Sequence, residues 1–136
     1  MTENLVYHQK INLPYRYTAG EATEAFLRAL VDRIILGSRC AECELTLVPA
    51  RPFCPQCSGR TGERIAVADR GELISYTIEN SGRIVGLIRL DGADTVLAHL
   101  IAADPASLSV GIRVRARWAA DRLPEITAIE AFEPEG

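Results

Sequence analysis

Lysine is almost missing from this 136-residue chain, in which Lys10 is accompanied by fourteen arginines. Histidine is confined to His8 and His99, so few side chains are poised to exchange protons near neutral pH. Cations are not in excess: fifteen basic residues against eighteen acidic ones leave a formal charge of -3, which excludes a bulk attraction to DNA or RNA. No apolar run approaches the ~20 residues that span a bilayer. One of the longest, Val96 to Ala103, is interrupted by His99. The first ten residues have no apolar stretch flanked by positive charge, so no export signal is read and a soluble, cytoplasmic protein is expected. The arginine bias suits bidentate contacts to carboxylate or phosphate, but GC-rich coding leaves the same mark with no function behind it, and that reading is preferred. What remains is ordinary globular composition, 48% hydrophobic and 24% charged, which excludes a disordered tail, a collagen-like fibre and a coiled-coil rod.

Three segments follow one another. Residues 1–37 begin with a polar, aromatic-studded arm containing Leu13, Pro14, Tyr15, Arg16 and Tyr17. Ala22, Ala25, Phe26, Ala29 and Leu30 then recur at helical spacing, with Glu24, Arg28 and Asp32 on the other face, and predict a helix over 21–32. Ile34 to Leu36 reads as a strand of the next unit. Residues 38–62 are punctuated by Pro49, Pro52, Pro55, Gly59 and Gly62 and have too few large apolar side chains for a core of their own. Residues 63–136 contain five runs of strand character: 72–79, 83–90, 95–102, 112–118 and 125–132. In the fourth, Ile112, Val114, Ala116 and Trp118 alternate with Arg113, Arg115 and Arg117, which puts the first set inward and the arginines in water. Asp104 and Pro105 offer an N-cap and a first-turn proline for one helical turn between the third and fourth runs. Five short strands with that turn in that place predict a mainly β protein built on a small closed barrel of the OB type.

The middle segment needs something other than a core to hold it, and Cys40, Cys43, Cys54 and Cys57 supply it. Two Cys-x-x-Cys knuckles ten residues apart can fold back on one tetrahedral ion, and four thiolates leave no open coordination position, so a structural Zn²⁺ is expected. Two disulfides or a redox pair fit less well, because a reducing compartment disfavours the first and two pairs in Pro-rich loops do not resemble the second. Iron in a rubredoxin-like site uses the same four ligands, and spacing does not separate it from zinc. The residue after a knuckle commonly needs a left-handed backbone. Here the first knuckle is followed by Glu44, which carries a penalty of ~1 kcal/mol relative to Gly, whereas the second is followed by Ser58 and Gly59 and is expected to be more relaxed.

The order helix, four-cysteine ribbon, OB barrel resembles the acyl-CoA-associated zinc-ribbon and OB-fold family, classed as domain of unknown function thirty-five. The resemblance is carried by Pro14 to Glu21, Phe26 and Leu27, Ile35 to Cys40, Leu47 to Cys57 and Gly71 to Thr77. Glu44 in place of the usual Gly and Ala50 in place of a Pro depart from the family pattern. The resemblance implies a non-catalytic companion subunit of a thiolase or thiolase-like enzyme acting on acyl-CoA thioesters, with a hydratase as the alternative partner. The arm with its tyrosines and arginine is similar to members paired with thiolases of degradative pathways. Ribbon and helix would dock on the catalytic subunit, and the barrel would help shape the acyl-CoA entrance.

No catalytic residue is assigned: every cysteine is committed to metal, His8 lies in the arm, and His99 reads as a satisfied barrel histidine. Arg113, Arg115 and Arg117 are candidates for CoA phosphates, against the plainer reading of a solvated strand face. Tyr15, Tyr17, Phe26 and Leu30 are candidates for a partner interface, against packing of the helix on its own barrel. Single-stranded nucleic acid is the remaining alternative for an OB barrel. It is disfavoured by the scarcity of aromatic platforms, since the barrel segment holds only Tyr76, Trp118 and Phe132.

Overall fold

The computed structural model describes residues 20–135. Helix α1 spans Glu21–Val31, as its periodicity predicts. Ala22, Phe26 and Leu30, spaced by four, face inward, while Glu24 and Arg28 form an exposed ion pair one turn apart. The helix ends in a Schellman arrangement: the Arg33 amide donates to the Leu30 carbonyl and the Ile34 amide to the Ala29 carbonyl. That geometry requires a left-handed residue at position 33, where arginine sits at φ 62°. Arg33→Gly is therefore expected to raise stability by about 0.5–1 kcal/mol, read as a higher urea midpoint with unchanged slope. The segment between the last two strands of the chain also caps this helix end, because Arg122 Nε donates to the Val31 carbonyl at 2.7 Å.

Strands β1 (Ile35–Cys40), β2 (Leu45–Leu47) and β3 (Arg64–Val67) make a three-stranded antiparallel sheet in the order β2-β1-β3. Neither β2 nor β3 is evident as a strand from the sequence. Three and four residues are too short to show a period, and β3 lies beyond the 38–62 segment yet pairs with β1. Strands β4 (Arg70–Ile78), β5 (Ile84–Leu90), β6 (Leu97–Ile101), β7 (Arg113–Trp118) and β8 (Ile129–Pro134) close into a barrel in the order β4-β5-β6-β8-β7. The single-turn helix Pro105–Ser107 lies between β6 and β7, with Asp104 accepting from the Ala106 amide as its cap. Both features agree with the expected OB arrangement.

The fifth strand differs from its expected 125–132. Residues Ile126–Ala128 form a 3₁₀ turn and β8 runs on to Pro134, because register with β7 pairs Ala116 with Phe132 and Val114 with Pro134. Glycine is demanded where β4 crosses β5: a Cβ on Gly71 would lie 2.1 Å from the Arg89 carbonyl oxygen.

One core unites helix, ribbon and barrel. Phe26 and Leu30 are 3% and 0% exposed and pack with Ile35, Val48 and Ala50 of the ribbon and with barrel residues including Leu73, Ile88 and Phe132. This overturns Phe26 and Leu30 as partner-interface residues: the apolar stripe of α1 is consumed by the chain's own core. Tyr15 and Tyr17 lie outside the described residues. Among the described residues no helix is long and apolar enough to cross a membrane.

Candidate metal centre

The two knuckles meet as their spacing predicts. Pairing of Cys40 with Leu45 closes the first knuckle between β1 and β2. The second hangs from a Phe53–Arg60 bridge, inside which the Cys54 amide donates to the Gly59 carbonyl and the Ser58 amide to the Cys54 carbonyl. The four sulfurs lie within 4.8 Å of one another, and those of Cys40 and Cys57 are 3.5 Å apart. A tetrahedral ion with metal–sulfur bonds of ~2.3 Å needs sulfurs roughly 3.8 Å apart, so this donor set fits such an ion. Backbone amides already point at the sulfurs: Cys43 N to Cys40 Sγ at 3.5 Å, Gln56 N to Cys54 Sγ at 3.4 Å and Gly59 N to Cys57 Sγ at 3.4 Å. These amides offset the negative charge that four thiolates gather.

Glu44 has the left-handed backbone expected after the first knuckle, at φ 57°. The second knuckle is not more relaxed: Ser58, not Gly59, takes the left-handed position, at φ 62°. Leu47 is fully buried against Cys40 and Cys54, with Cys43 and Leu45 alongside, so a small apolar cluster shields one side of the site.

Without a metal the thiols share protons unequally. The Cys57 backbone amide, aided by that of Gln56, lowers Cys54 to about 7. Hydrogen bonding to the Cys57 thiol, then burial, pushes Cys43 up to about 12. A metal must displace those protons, so acidification weakens its binding.

The arginine stripe is not an open anion cradle. Arg113 is bonded to Asp91, Arg115 to Glu133 at 3.4 Å, and Arg117 to Glu130 at 3.1 Å. Each guanidinium the sequence offered for CoA phosphate already faces a carboxylate from a neighbouring strand or loop, with which a phosphate would compete. Solvent screens these exposed pairs, so they add little to stability.

His99 behaves as the satisfied barrel residue expected of it. Its Nδ1 accepts from the Leu100 amide at 2.7 Å, its Nε2 faces the Ile126 carbonyl at 3.4 Å, and its ring meets Phe132 edge-on with centroids 5.6 Å apart. Burial lowers its pKa, against the opposing pull of the Ile126 and Ile129 backbone. The unfolded chain therefore takes up a proton near pH ~6.5 before the folded one does, and stability falls as pH drops from there toward the depressed folded value. Urea midpoints measured between about pH 8 and about pH 5 should fall less steeply for His99→Gln than for the parent chain.

Sequence reasoning missed the outer surface of β5 and β6. Leu87, Leu100 and Ile126 are 38%, 36% and 39% exposed. Val85, Ala98, Leu100 and Ile126 line a shallow apolar depression of about 290 Å³, edged by Arg83, His99 and Thr127. The available signal was that β5 reads Ile-Val-Gly-Leu-Ile-Arg-Leu, apolar on both faces, where a half-buried strand alternates.

Two family models match this chain: residues 28–62 match the rubredoxin-like zinc ribbon domain of ChsH2, and residues 64–119 its C-terminal OB-fold domain. The chain is 25% identical over 117 residues to a probable enoyl-CoA hydratase alpha subunit of Thermomonospora curvata, covering 80% of this chain and 36% of that protein. It is 28% identical over 89 residues to a DUF35 domain-containing scaffold protein of Pyrococcus furiosus, covering 59% of this chain and 65% of that protein. The match thus spans about a third of the first relative and just under two thirds of the second. A DUF35-family protein of unknown function from Sulfolobus solfataricus has the same fold, with a TM-score of 0.68 at 22% identity over 85% of this chain and 87% of that one. So does a chain of the Ltp2-ChsH2(DUF35) aldolase, with a TM-score of 0.64 at 21% identity over 88% of this chain and 98% of that one. With a four-cysteine ribbon, a closed five-stranded barrel and both matching models in that order, the chain belongs to the ChsH2-type DUF35 family of zinc-ribbon and OB-fold proteins.

Proposed function

We propose that this chain is a non-catalytic accessory subunit that holds a structural Zn²⁺ in its ribbon and docks on a catalytic partner acting on acyl-CoA thioesters, with a thiolase-like enzyme as the partner. The observation that carries this reading is the asymmetry of the barrel's outer surface. The β7–β8 side carries carboxylate-paired arginines, whereas the β5–β6 side presents Val85, Leu87, Ala98 and Leu100 with Ile126 beside them. A largely apolar patch on a closed barrel, with charge only at its edge in Arg83 and Arg89, suits a protein contact. Support for a non-catalytic role comes from the cysteines, whose sulfurs all gather at one site, and from His99, whose two ring nitrogens both face backbone groups. The scaffold name of the Pyrococcus relative points the same way.

A hydratase partner is the second reading, favoured by the name of the Thermomonospora relative. Single-stranded nucleic acid is disfavoured, because the β5–β6 face offers aliphatic side chains where stacking on bases needs aromatic ones. Four thiolates held for a metal suit the reducing chemistry of the cytoplasm, which is the location proposed.

The test places a charge on the apolar face. Leu100→Asp is expected to weaken co-purification with the catalytic subunit at least about tenfold, the scale of a hot-spot loss, while metal content and far-UV dichroism stay as in the parent. Undiminished co-purification of Leu100→Asp would remove the β5–β6 face from the interface, and turnover of acyl-CoA by the purified chain alone would end the accessory reading.

A further inference from the structure

The ribbon is fastened to the barrel by a second set of contacts that the core does not account for. The segment between β5 and β6, residues 91–96, lies along the outer edge of β2. There the Thr46 amide donates to Asp94 Oδ2 at 2.8 Å, and the Asp94 amide returns to the Thr46 carbonyl at 2.8 Å. One step on, the Val48 amide donates to Thr95 Oγ1 at 2.8 Å, and that hydroxyl donates to the Val48 carbonyl at 3.1 Å. Two side chains of a barrel loop thus stand in for the missing neighbour strand of β2. Reciprocal bonds of this kind leave no orphaned edge group at Thr46 or Val48.

Between those two residues lies Leu47, buried against Cys40 and Cys54. Leu45 and Leu47 thus pack beside the cysteines, while the intervening backbone grips the barrel loop. The metal site and the β5–β6 loop are connected through three consecutive residues, Thr46 to Val48.

We propose that metal occupancy of the four-cysteine site sets the order of the 91–96 loop, so that the ribbon is a metal-dependent clasp on the β5–β6 hairpin. Loss of the ion frees the two knuckles that fix Leu47. The edge of β2 then loosens and the loop it holds opens locally, while the rest of the barrel, closed by its own ladder, stays folded. The coupling runs in both directions: a loop that cannot bond to β2 must also weaken retention of the metal. The inference rests on the site binding metal, and the metal content of each sample is measured separately, so failure to load zinc is distinguished from failure of the clasp.

The experiment is hydrogen exchange on the full chain, loaded with Zn²⁺ and then stripped by a chelator. Exchange at the Thr46, Val48 and Asp94 amides is expected to rise about tenfold or more on stripping, while Ala102, bonded to Phe132 in the barrel, and Ala116, bonded to Asp69 just before β4, keep their protection. In the loaded chain, Asp94→Ala is expected to speed zinc transfer to a chromophoric chelator several-fold, and Thr95→Val to do the same. Unchanged exchange at Thr46, Val48 and Asp94 on stripping overturns the clasp. So does a uniform rise that includes Ala102 and Ala116, which reports global unfolding, and so does a zinc transfer rate indifferent to both variants.

Discussion

Cys54→Ala is expected to strip the ribbon of its metal and open it to protease. Cys54 is 2% exposed and sits against Leu47, so its removal takes away both a ligand and part of the small cluster that shields the site. Three remaining thiolates leave an open position for water, and the ion becomes labile. Structural zinc supplies roughly 10–16 kcal/mol to ribbons of this size. Residues 38–62 contain few alternatives, since only Val48 and Ala50 of that stretch join the main core. Metal analysis of the purified variant should fall from one zinc per chain to a small fraction of that. Limited proteolysis should cut within 38–62 and leave the barrel, whose five strands close on themselves. Full zinc occupancy with an unchanged digestion pattern would show that the site is held by something other than its four thiolates.

Phe132→Ala carries the other large effect. Phe132 is fully buried, stacks edge-on with His99, and sits where β8 meets β6 in the barrel's parallel pairing, opposite Ile101. Its carbonyl also accepts from the Ala102 amide at 2.8 Å. Truncation of a buried phenylalanine costs about 3–5 kcal/mol, a large share of the ~5–15 kcal/mol that stabilises a domain of ordinary size. At roughly 4 °C per kcal/mol for a chain of this length, the thermal midpoint should drop by about 10–20 °C. A drop of less than about 4 °C would mean that the barrel closes without depending on this side chain.

The helix, four of the barrel strands and the gathering of the four cysteines were legible in the sequence, because each depends on a local period or a fixed spacing, while the fifth strand was placed too early. The stripe Arg113, Arg115, Arg117 shows how far that goes. Its alternation correctly put the arginines outside, but their partners Asp91, Glu130 and Glu133 come from positions 13 to 22 residues away in the chain, so their neutralisation is invisible until the strands are paired. Phe26 and Leu30 illustrate a second limit. An apolar helical stripe has the same pattern whether it covers the chain's own core or a partner's surface, and only the tertiary packing decides. Thr95 reads locally as the start of a strand and Asp94 as the residue before it, while their role as a surrogate strand for β2 depends on contacts 47 and 48 residues away. The apolar outer face of β5 was the one missed feature that had left a trace, in a strand that does not alternate.

Whether this chain works as part of a larger enzyme is the central question. The most direct measurement is affinity purification of the tagged full chain from its own cells, followed by native mass spectrometry of the eluate and zinc analysis of the same sample. The expected result is a stable complex with a thiolase-like or hydratase-like catalytic chain and one zinc for each copy of this protein. A chain that elutes alone or with nucleic acid, whatever its zinc content, would contradict the accessory-subunit role.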